Sequence, residues 1–174
     1  MTVAATGGCF GEENLFDLRG YRLPDGRELL LYGRAPHEGA VRKCLPPAAP
    51  GGSGHLRWHP LRGEWVAYAG ARQGRTFLPS ASTCPLCPAR DGGLGEIPFE
   101  QFEVAVFENR FPAFSSAATP VDLPGIETAP SHGRCEVVVF SDDHRAGLGS
   151  LSEDRLALLL EVWGARVEAL GQDH

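Results

Sequence analysis

Glycine and proline interrupt this sequence so often that it has little room for long helices or strands. The chain has 174 residues, of which 22 are glycine and 14 are proline, together about a fifth. Both residues favour turns and break regular elements. The sequence therefore predicts a loop-rich fold with short strands, in a chain long enough for one ordinary domain with a sizeable core.

One segment near the end of the chain has the spacing of a helix. Ser152 suits the N-cap of a helix over residues 153–170, and Gly171 suits its end. Six apolar residues recur at helical spacing, and we expect this stripe to pack on the core: Leu156, Leu159, Leu160, Trp163, Val167 and Leu170.

Short apolar runs predict strands ahead of that helix. The turn sequence Pro-Asp-Gly at 24–26 predicts a β-hairpin over residues 18–32. Further strands are expected at 64–68, 102–107 and 135–140, an irregular start at 1–16, a linker at 34–54 and a loop at 109–134. Strands followed by one helix predict an α+β fold.

Charge and hydropathy exclude some classes of partner. The formal charge of −6 and the pI near 5.5 exclude a general binder of nucleic acid, because no basic field exists to neutralise many phosphates. No apolar run approaches the length of a transmembrane helix, so no membrane partner is expected. The start of the chain lacks a secretory pattern, and five cysteines are an odd number for a disulfide framework. We therefore expect a cytoplasmic protein.

Two of the cysteines have a spacing with chemical meaning. Cys84 and Cys87 flank a two-residue spacer. In a tight turn, two cysteines at this spacing can supply two of the four ligands of a zinc ion. His144 is the best third candidate, because it follows a predicted strand and has neighbouring carboxylates; Cys135 is a weaker one. The alternatives are two unliganded thiols or a redox pair, although the surrounding Pro and Gly do not fit a redox motif.

Three further polar residues invite a functional interpretation. Arg72 and Arg75 lie three apart after the predicted strand at 64–68, where two guanidinium groups can grip a diphosphate. From the pair alone, a solvated surface loop is the simpler interpretation. Asn109 can offer its amide to a base or a phosphate, or simply form a turn.

Five motifs in a fixed order connect these residues. The sequence RWHPLRGEWV at 57–66 resembles the opening motif of the galactose-1-phosphate uridylyltransferases, members of the histidine-triad superfamily. The Arg72–Arg75 pair, CPLCP from 84, VFENRFP from 106 and GRCEVVVFSDDH from 133 follow in the order of that family. The hairpin sequence YRLPDGRELLLY also resembles the amino-terminal extension of actinobacterial-type members.

The resemblance implies a fold, a reaction and a set of site residues. It implies part of an antiparallel half-barrel sheet with a packed helix, and uridylyl transfer between UDP-glucose and galactose 1-phosphate through a covalent uridylyl-histidine. It also implies a homodimer for the intact enzyme. Carried over by motif, the zinc ligands are Cys84, Cys87 and His144, the phosphate contacts are Arg72 and Arg75, and the residues around the uridine are Leu86, Phe107, Asn109 and Val137.

The sequence departs from the family in one respect that concerns activity. The family nucleophile lies in a His-x-His-x-Gln signature, and no two of the six histidines here are separated by a single residue. His59 and Asp142 are minor departures that leave the ligand and arginine positions intact. We therefore expect an amino-terminal portion of the enzyme, inactive by itself, with an extension at 1–54 and a truncated transferase domain at 55–174.

Three rival interpretations stay open from the sequence. One is a zinc-stabilised fragment that binds a uridine nucleotide without chemistry of its own. Another is a related nucleotidylyltransferase or phosphorylase, which the combination of motifs that begin at 57, 84 and 107 disfavours. The last is a thiol redox protein.

Overall fold

The structure is a computed structural model that describes residues 3–4, 16–39, 43–46, 54–70, 79–89 and 94–172. Residues divide into two compact units, each formed by separated stretches of chain. The first unit comprises Met1–Pro47, Leu78–Phe107 and Val137–His174, and the second comprises Ala48–Phe77 and Glu108–Glu136. The predicted domain division after residue 54 stays a prediction.

The described residues form short strands and one α-helix, which confirms the predicted α+β class. The elements in chain order are β1 Val3–Ala4, β2 Asp17–Arg22, β3 Glu28–Gly33, β4 His55–His59, β5 Glu64–Tyr68, β6 Val104–Glu108, β7 Thr128–Pro130, β8 Glu136–Val139 and α1 Glu153–Gly171. A five-stranded sheet has the order β1-β2-β3-β6-β8, and a three-stranded sheet has the order β5-β4-β7. Neither sheet closes into a barrel within the described part of the chain.

The predicted hairpin is confirmed as β2 and β3, which are antiparallel. Its turn contains Gly26 at φ 85°, a left-handed conformation that a side chain would strain. β3 also pairs antiparallel with β6, with Leu29 opposite Phe107. The hairpin is therefore an integral part of the main sheet, although the chain between β3 and β6 is 70 residues long.

The five-stranded sheet is buried on both faces, because alternate side chains point in opposite directions. On one face, Leu29, Leu31 and Phe107 form a cluster with Ile97 and Phe99 from the loop before β6. The other face packs against α1 and comprises Leu30, Tyr32, Val104, Val106, Leu158, Leu159 and Val162. This explains why β3, β6 and β8 are nearly continuous apolar runs.

The helix is confirmed, but the predicted core stripe is largely wrong. Ser152 caps α1 as expected, its side chain accepting a hydrogen bond from the Arg155 N–H. Of the six stripe residues only Leu159 is fully buried, whereas Leu160, Trp163 and Val167 are 63%, 40% and 73% exposed. The sheet instead packs on the adjacent face, with Leu158, Leu159 and Val162. Apolar residues cover both faces of this helix, so their spacing alone does not determine which one is buried.

In the second unit, β4 forms antiparallel pairs with β5 and β7. Trp58 and Trp65 lie opposite each other with their rings edge to face at 5.5 Å, and the Arg57 guanidinium lies 4.0 Å over the Tyr68 ring. Gly54 has no room for a side chain, because a Cβ there would overlap the Ala113 carbonyl oxygen.

Several strand predictions need adjustment. The strands expected at 64–68, 102–107 and 135–140 correspond to β5, β6 and β8, the last two with shifted ends. The loop predicted at 109–134 contains β7, and β1 and β4 also form where no strand was expected. Within the described residues, no helix has the length and apolar character needed to cross a membrane.

Candidate metal centre

Two candidate ligands lie on a tight, partly exposed turn in the first unit. The Cys87 N–H donates to the Cys84 carbonyl at 3.4 Å, which closes the turn around Pro85 and Leu86. The two cysteines are half-buried free thiols, and Leu86 between them is 38% exposed. The two-residue spacer therefore brings both sulfur atoms to the same side of one small loop, as the spacing predicted.

The third candidate follows the end of β8 on a second turn. The Ser141 hydroxyl accepts from the Asp143 N–H at 3.1 Å, and the Asp143 carboxylate accepts from the Arg145 N–H at 2.9 Å. These two bonds fix the backbone on both sides of His144, because short polar side chains stabilise turns in this way. Asp143 thus shapes the backbone that carries the imidazole.

The structure brings all three candidates together, although His144 is 57 residues from Cys87. Their ligand atoms lie within 4.8 Å of one another, and the Cys87 sulfur is 3.2 Å from His144 Nδ1. In a tetrahedral zinc site an S–N edge is roughly 3.5 Å, from bond lengths of about 2.3 and 2.0 Å. The cluster therefore fits a metal ion that prefers thiolate and imidazole ligands. Cys135, the weaker candidate, is not part of it.

The comparisons with known proteins now identify the family. Residues 51–174 match the family described as "Galactose-1-phosphate uridyl transferase, N-terminal domain". The match covers well over half of the chain. The chain belongs to this family.

The curated relatives carry the same name and are considerably longer. A galactose-1-phosphate uridylyltransferase of Streptomyces lividans is 36% identical over 152 residues, covering 86% of this chain and 38% of the relative. The enzyme of Thermotoga maritima is 38% identical over 122 residues, covering 67% of this chain and 36% of the relative. The enzyme of Rattus norvegicus is 27% identical over 135 residues, covering 69% and 36%. The chain thus spans less than two fifths of the length of these relatives, and no solved structure matches it significantly.

Three of the positions that the transferase resemblance assigns to the uridine lie in the first unit. Phe107 at the end of β6 is 3% exposed, and it belongs to the same core cluster as the partly buried Val137 of β8. Leu86 lies on the Cys84–Cys87 turn and is exposed. Phe107 thus contributes to the core of the sheet whether or not it also faces a ligand.

Of the remaining predicted site residues, the structure describes Asn109 but not the two arginines. Asn109 lies in the second unit, where its side-chain oxygen accepts from the Phe111 N–H at 2.9 Å and its own N–H donates to the Cys135 carbonyl at 2.8 Å. Asn109 therefore forms a turn, which is one of the two interpretations that its sequence position allowed. Arg72 and Arg75 lie outside the described residues.

Sequence reasoning missed the residues that contact the Cys84–Cys87 turn from the segment around Glu96. The Glu96 N–H donates to the Pro85 carbonyl at 2.8 Å, so the segment around Glu96 is bonded directly to the turn. The Glu96 carboxylate is paired with Arg27 of the hairpin, 69 residues away in sequence. No local pattern indicates such a pair, because the two residues are far apart in sequence and Glu96 belongs to none of the motifs.

Proposed function

We propose that this chain is the amino-terminal part of an enzyme that transfers a uridylyl group between UDP-glucose and galactose 1-phosphate. Membership of the galactose-1-phosphate uridyl transferase family supports the proposal, since the relatives bear that activity in their names. The observation that carries it is the convergence of Cys84, Cys87 and His144, the residues at the family's zinc-ligand positions.

Zinc is the metal we propose for this cluster. Two thiolates and one imidazole suit zinc better than the oxygen-preferring cations magnesium and calcium. Bound zinc would tie the Cys84–Cys87 turn to the segment after β8 and add to the folding free energy of the first unit. The fourth position would be taken by water or by a ligand outside the described residues.

The nucleotide would be held by residues from several segments. We assign Leu86, Phe107, Asn109 and Val137 to the surroundings of the uridine, and Arg72 and Arg75 to the diphosphate. Two planar guanidinium groups suit a diphosphate, because each donates two parallel hydrogen bonds to phosphate oxygens. We further propose that the intact enzyme is a cytoplasmic homodimer.

A second candidate function concerns these 174 residues on their own. The uridylyl acceptor of the family lies in a His-x-His-x-Gln signature, and none of the six histidines here has a second histidine two positions away. We therefore propose that this portion alone binds the nucleotide and zinc without transferring the uridylyl group.

Calorimetric titration combined with a turnover assay tests both proposals. We expect UDP-glucose to bind the zinc-loaded chain more tightly than ADP-glucose, since the proposed pocket is selective for uridine, and we expect no release of glucose 1-phosphate. Equal binding of the two nucleotides, or no binding, would contradict the proposed substrate class. A uridylylated chain recovered after incubation with UDP-glucose would overturn the second proposal alone.

A further inference from the structure

The Cys84–Cys87 turn is hydrogen-bonded to the segment around Glu96. Its described internal backbone bond is the long 3.4 Å contact from the Cys87 N–H to the Cys84 carbonyl. The Glu96 N–H supplies a shorter bond of 2.8 Å to the Pro85 carbonyl. The geometry of the two sulfur atoms therefore depends on where Gly95 and Glu96 lie.

Gly95 and Glu96 are packed closely against that turn. A Cβ on Gly95 would lie 3.1 Å from the Cys87 carbonyl oxygen and 3.3 Å from that of Pro85. On its other side Gly95 accepts a hydrogen bond of 3.0 Å from the Leu45 N–H. Because these contacts are close, a shift of Gly95 and Glu96 is expected to shift the Cys84–Cys87 turn as well.

The side chain of Glu96 is in turn held by the hairpin of the main sheet. Its carboxylate lies 2.6 Å from Arg27 Nη2, and Arg27 Nε lies 2.8 Å from the Asp25 carboxylate. The side chains of Arg27 and Asp25 are each 13% exposed and that of Glu96 is 6% exposed. Burial by itself lowers the pKa of the Arg27 guanidinium, but the hydrogen bonds and charges of Glu96 and Asp25 outweigh it and leave that pKa raised.

We propose that Arg27 is a positioning residue for the metal centre, acting through its buried ion pair with Glu96 on the Cys84–Cys87 turn. The hairpin that carries Arg27 precedes residue 51, where the family match begins, so the extension would contribute to the site through Glu96. The proposal rests on the proposed metal centre. Removing a residue that orients metal ligands without binding the metal itself lowers metal affinity by about 10- to 100-fold.

The rate of zinc release tests this proposal directly. Zn²⁺-loaded wild-type chain, Arg27→Gln and Arg34→Gln would each be mixed with an excess of a colorimetric zinc chelator. Arg34→Gln is the control, because it removes an arginine that pairs with Glu161 of α1 at 2.6 Å. We expect release from Arg27→Gln to be at least about tenfold faster than from wild type, and release from Arg34→Gln to be unchanged.

Two further measurements separate positioning from general loss of structure. Arg27→Lys keeps the charge but loses the planar fork, so its release rate is expected to lie between those of wild type and Arg27→Gln. Co²⁺-loaded samples report the ligand geometry, and the sulfur-to-cobalt absorption band is expected to change in Arg27→Gln but not in Arg34→Gln.

Each outcome decides between the two proposals. Wild-type release and an unchanged Co²⁺ spectrum in Arg27→Gln would overturn the positioning role while leaving the metal centre intact. If circular dichroism shows that Arg27→Gln is unfolded, the same criterion applies to Arg27→Lys. A wild-type chain that binds no Zn²⁺ would overturn the metal centre and the positioning role together.

Discussion

Burial and two nearby carboxylates make the Cys44 thiol harder to ionise. Burial raises the pKa of the Cys44 thiol, the charges of Asp25 and Glu96 raise it further, and Arg27 only partly opposes them. A raised pKa leaves less of the reactive thiolate at a given pH. Cys44 is therefore expected to be a poor nucleophile in the folded chain.

Alkylation mapped by mass spectrometry checks this expectation. At pH 8 we expect iodoacetamide to modify Cys44 slowly with or without Zn²⁺, and its rate to rise as the pH approaches the raised pKa. Cys84 and Cys87 are expected to react readily in the metal-free chain and to be protected by Zn²⁺. Rapid modification of Cys44 at pH 8, or no protection of the other two, would contradict the account.

The diphosphate contacts can be tested by comparing ligands that differ only in their phosphates. We expect Arg75→Gln to weaken UDP binding by about 1.5–3 kcal/mol, the size of a hydrogen bond to a charged group, and to leave uridine binding nearly unchanged. Calorimetric titration of both ligands into both chains provides the measurement. An equal loss for uridine would show that the substitution acts on the fold rather than on the phosphates.

The residues of the metal cluster were predictable, whereas their support was not. The Cys84–Cys87 spacing and the polar turn before His144 are local patterns, and the structure joins them as expected. The pairing of Arg27 with Glu96 depends on how the β2–β3 turn packs against the segment around Glu96, which spacing does not encode. Local chemistry therefore indicates the candidate ligands, and only the tertiary fold shows which residues contact the turn that carries two of them.

At the scale of elements, the hairpin and the helix illustrate the same limit. Pro-Asp-Gly at 24–26 strongly favours a tight turn with a positive φ at Gly26, so the sequence predicts the β2–β3 hairpin correctly. The helix has two adjacent apolar faces, and packing against the sheet determines which of them is buried. β7 was missed because a three-residue strand ending in Pro130 has almost no sequence pattern.

The helix correction leads to a prediction about stability. Leu158 is fully buried against the sheet, so Leu158→Ala is expected to lower the free energy of unfolding by about 2–5 kcal/mol. Val167 is 73% exposed, and Val167→Ala is expected to change it by less than about 0.5 kcal/mol. Urea denaturation of both variants and the wild type measures the difference. The reverse order would restore the originally predicted stripe as the buried face.

At the scale of the whole molecule, the candidate metal centre joins residues from two distant parts of the first unit. The Cys84–Cys87 turn precedes β6, and His144 follows β8. A ligand that binds the folded state alone stabilises it, by about 2.7 kcal/mol at a hundred times its Kd. We therefore expect saturating Zn²⁺ to raise the Tm by about 5–10 °C, as followed by circular dichroism. Cys84→Ser serves as the control and is expected to lose most of this shift.

The central claim is that Cys84, Cys87 and His144 together hold one zinc ion. Zinc per chain, measured by mass spectrometry after equilibration with limiting chelator, tests it most directly in wild type, His144→Ala and His132→Ala. His132 is an exposed histidine outside the cluster and provides the matched control. We expect about one zinc per chain in wild type and His132→Ala, and a large loss in His144→Ala. Wild-type zinc content in His144→Ala, or no zinc in the wild type, would contradict it.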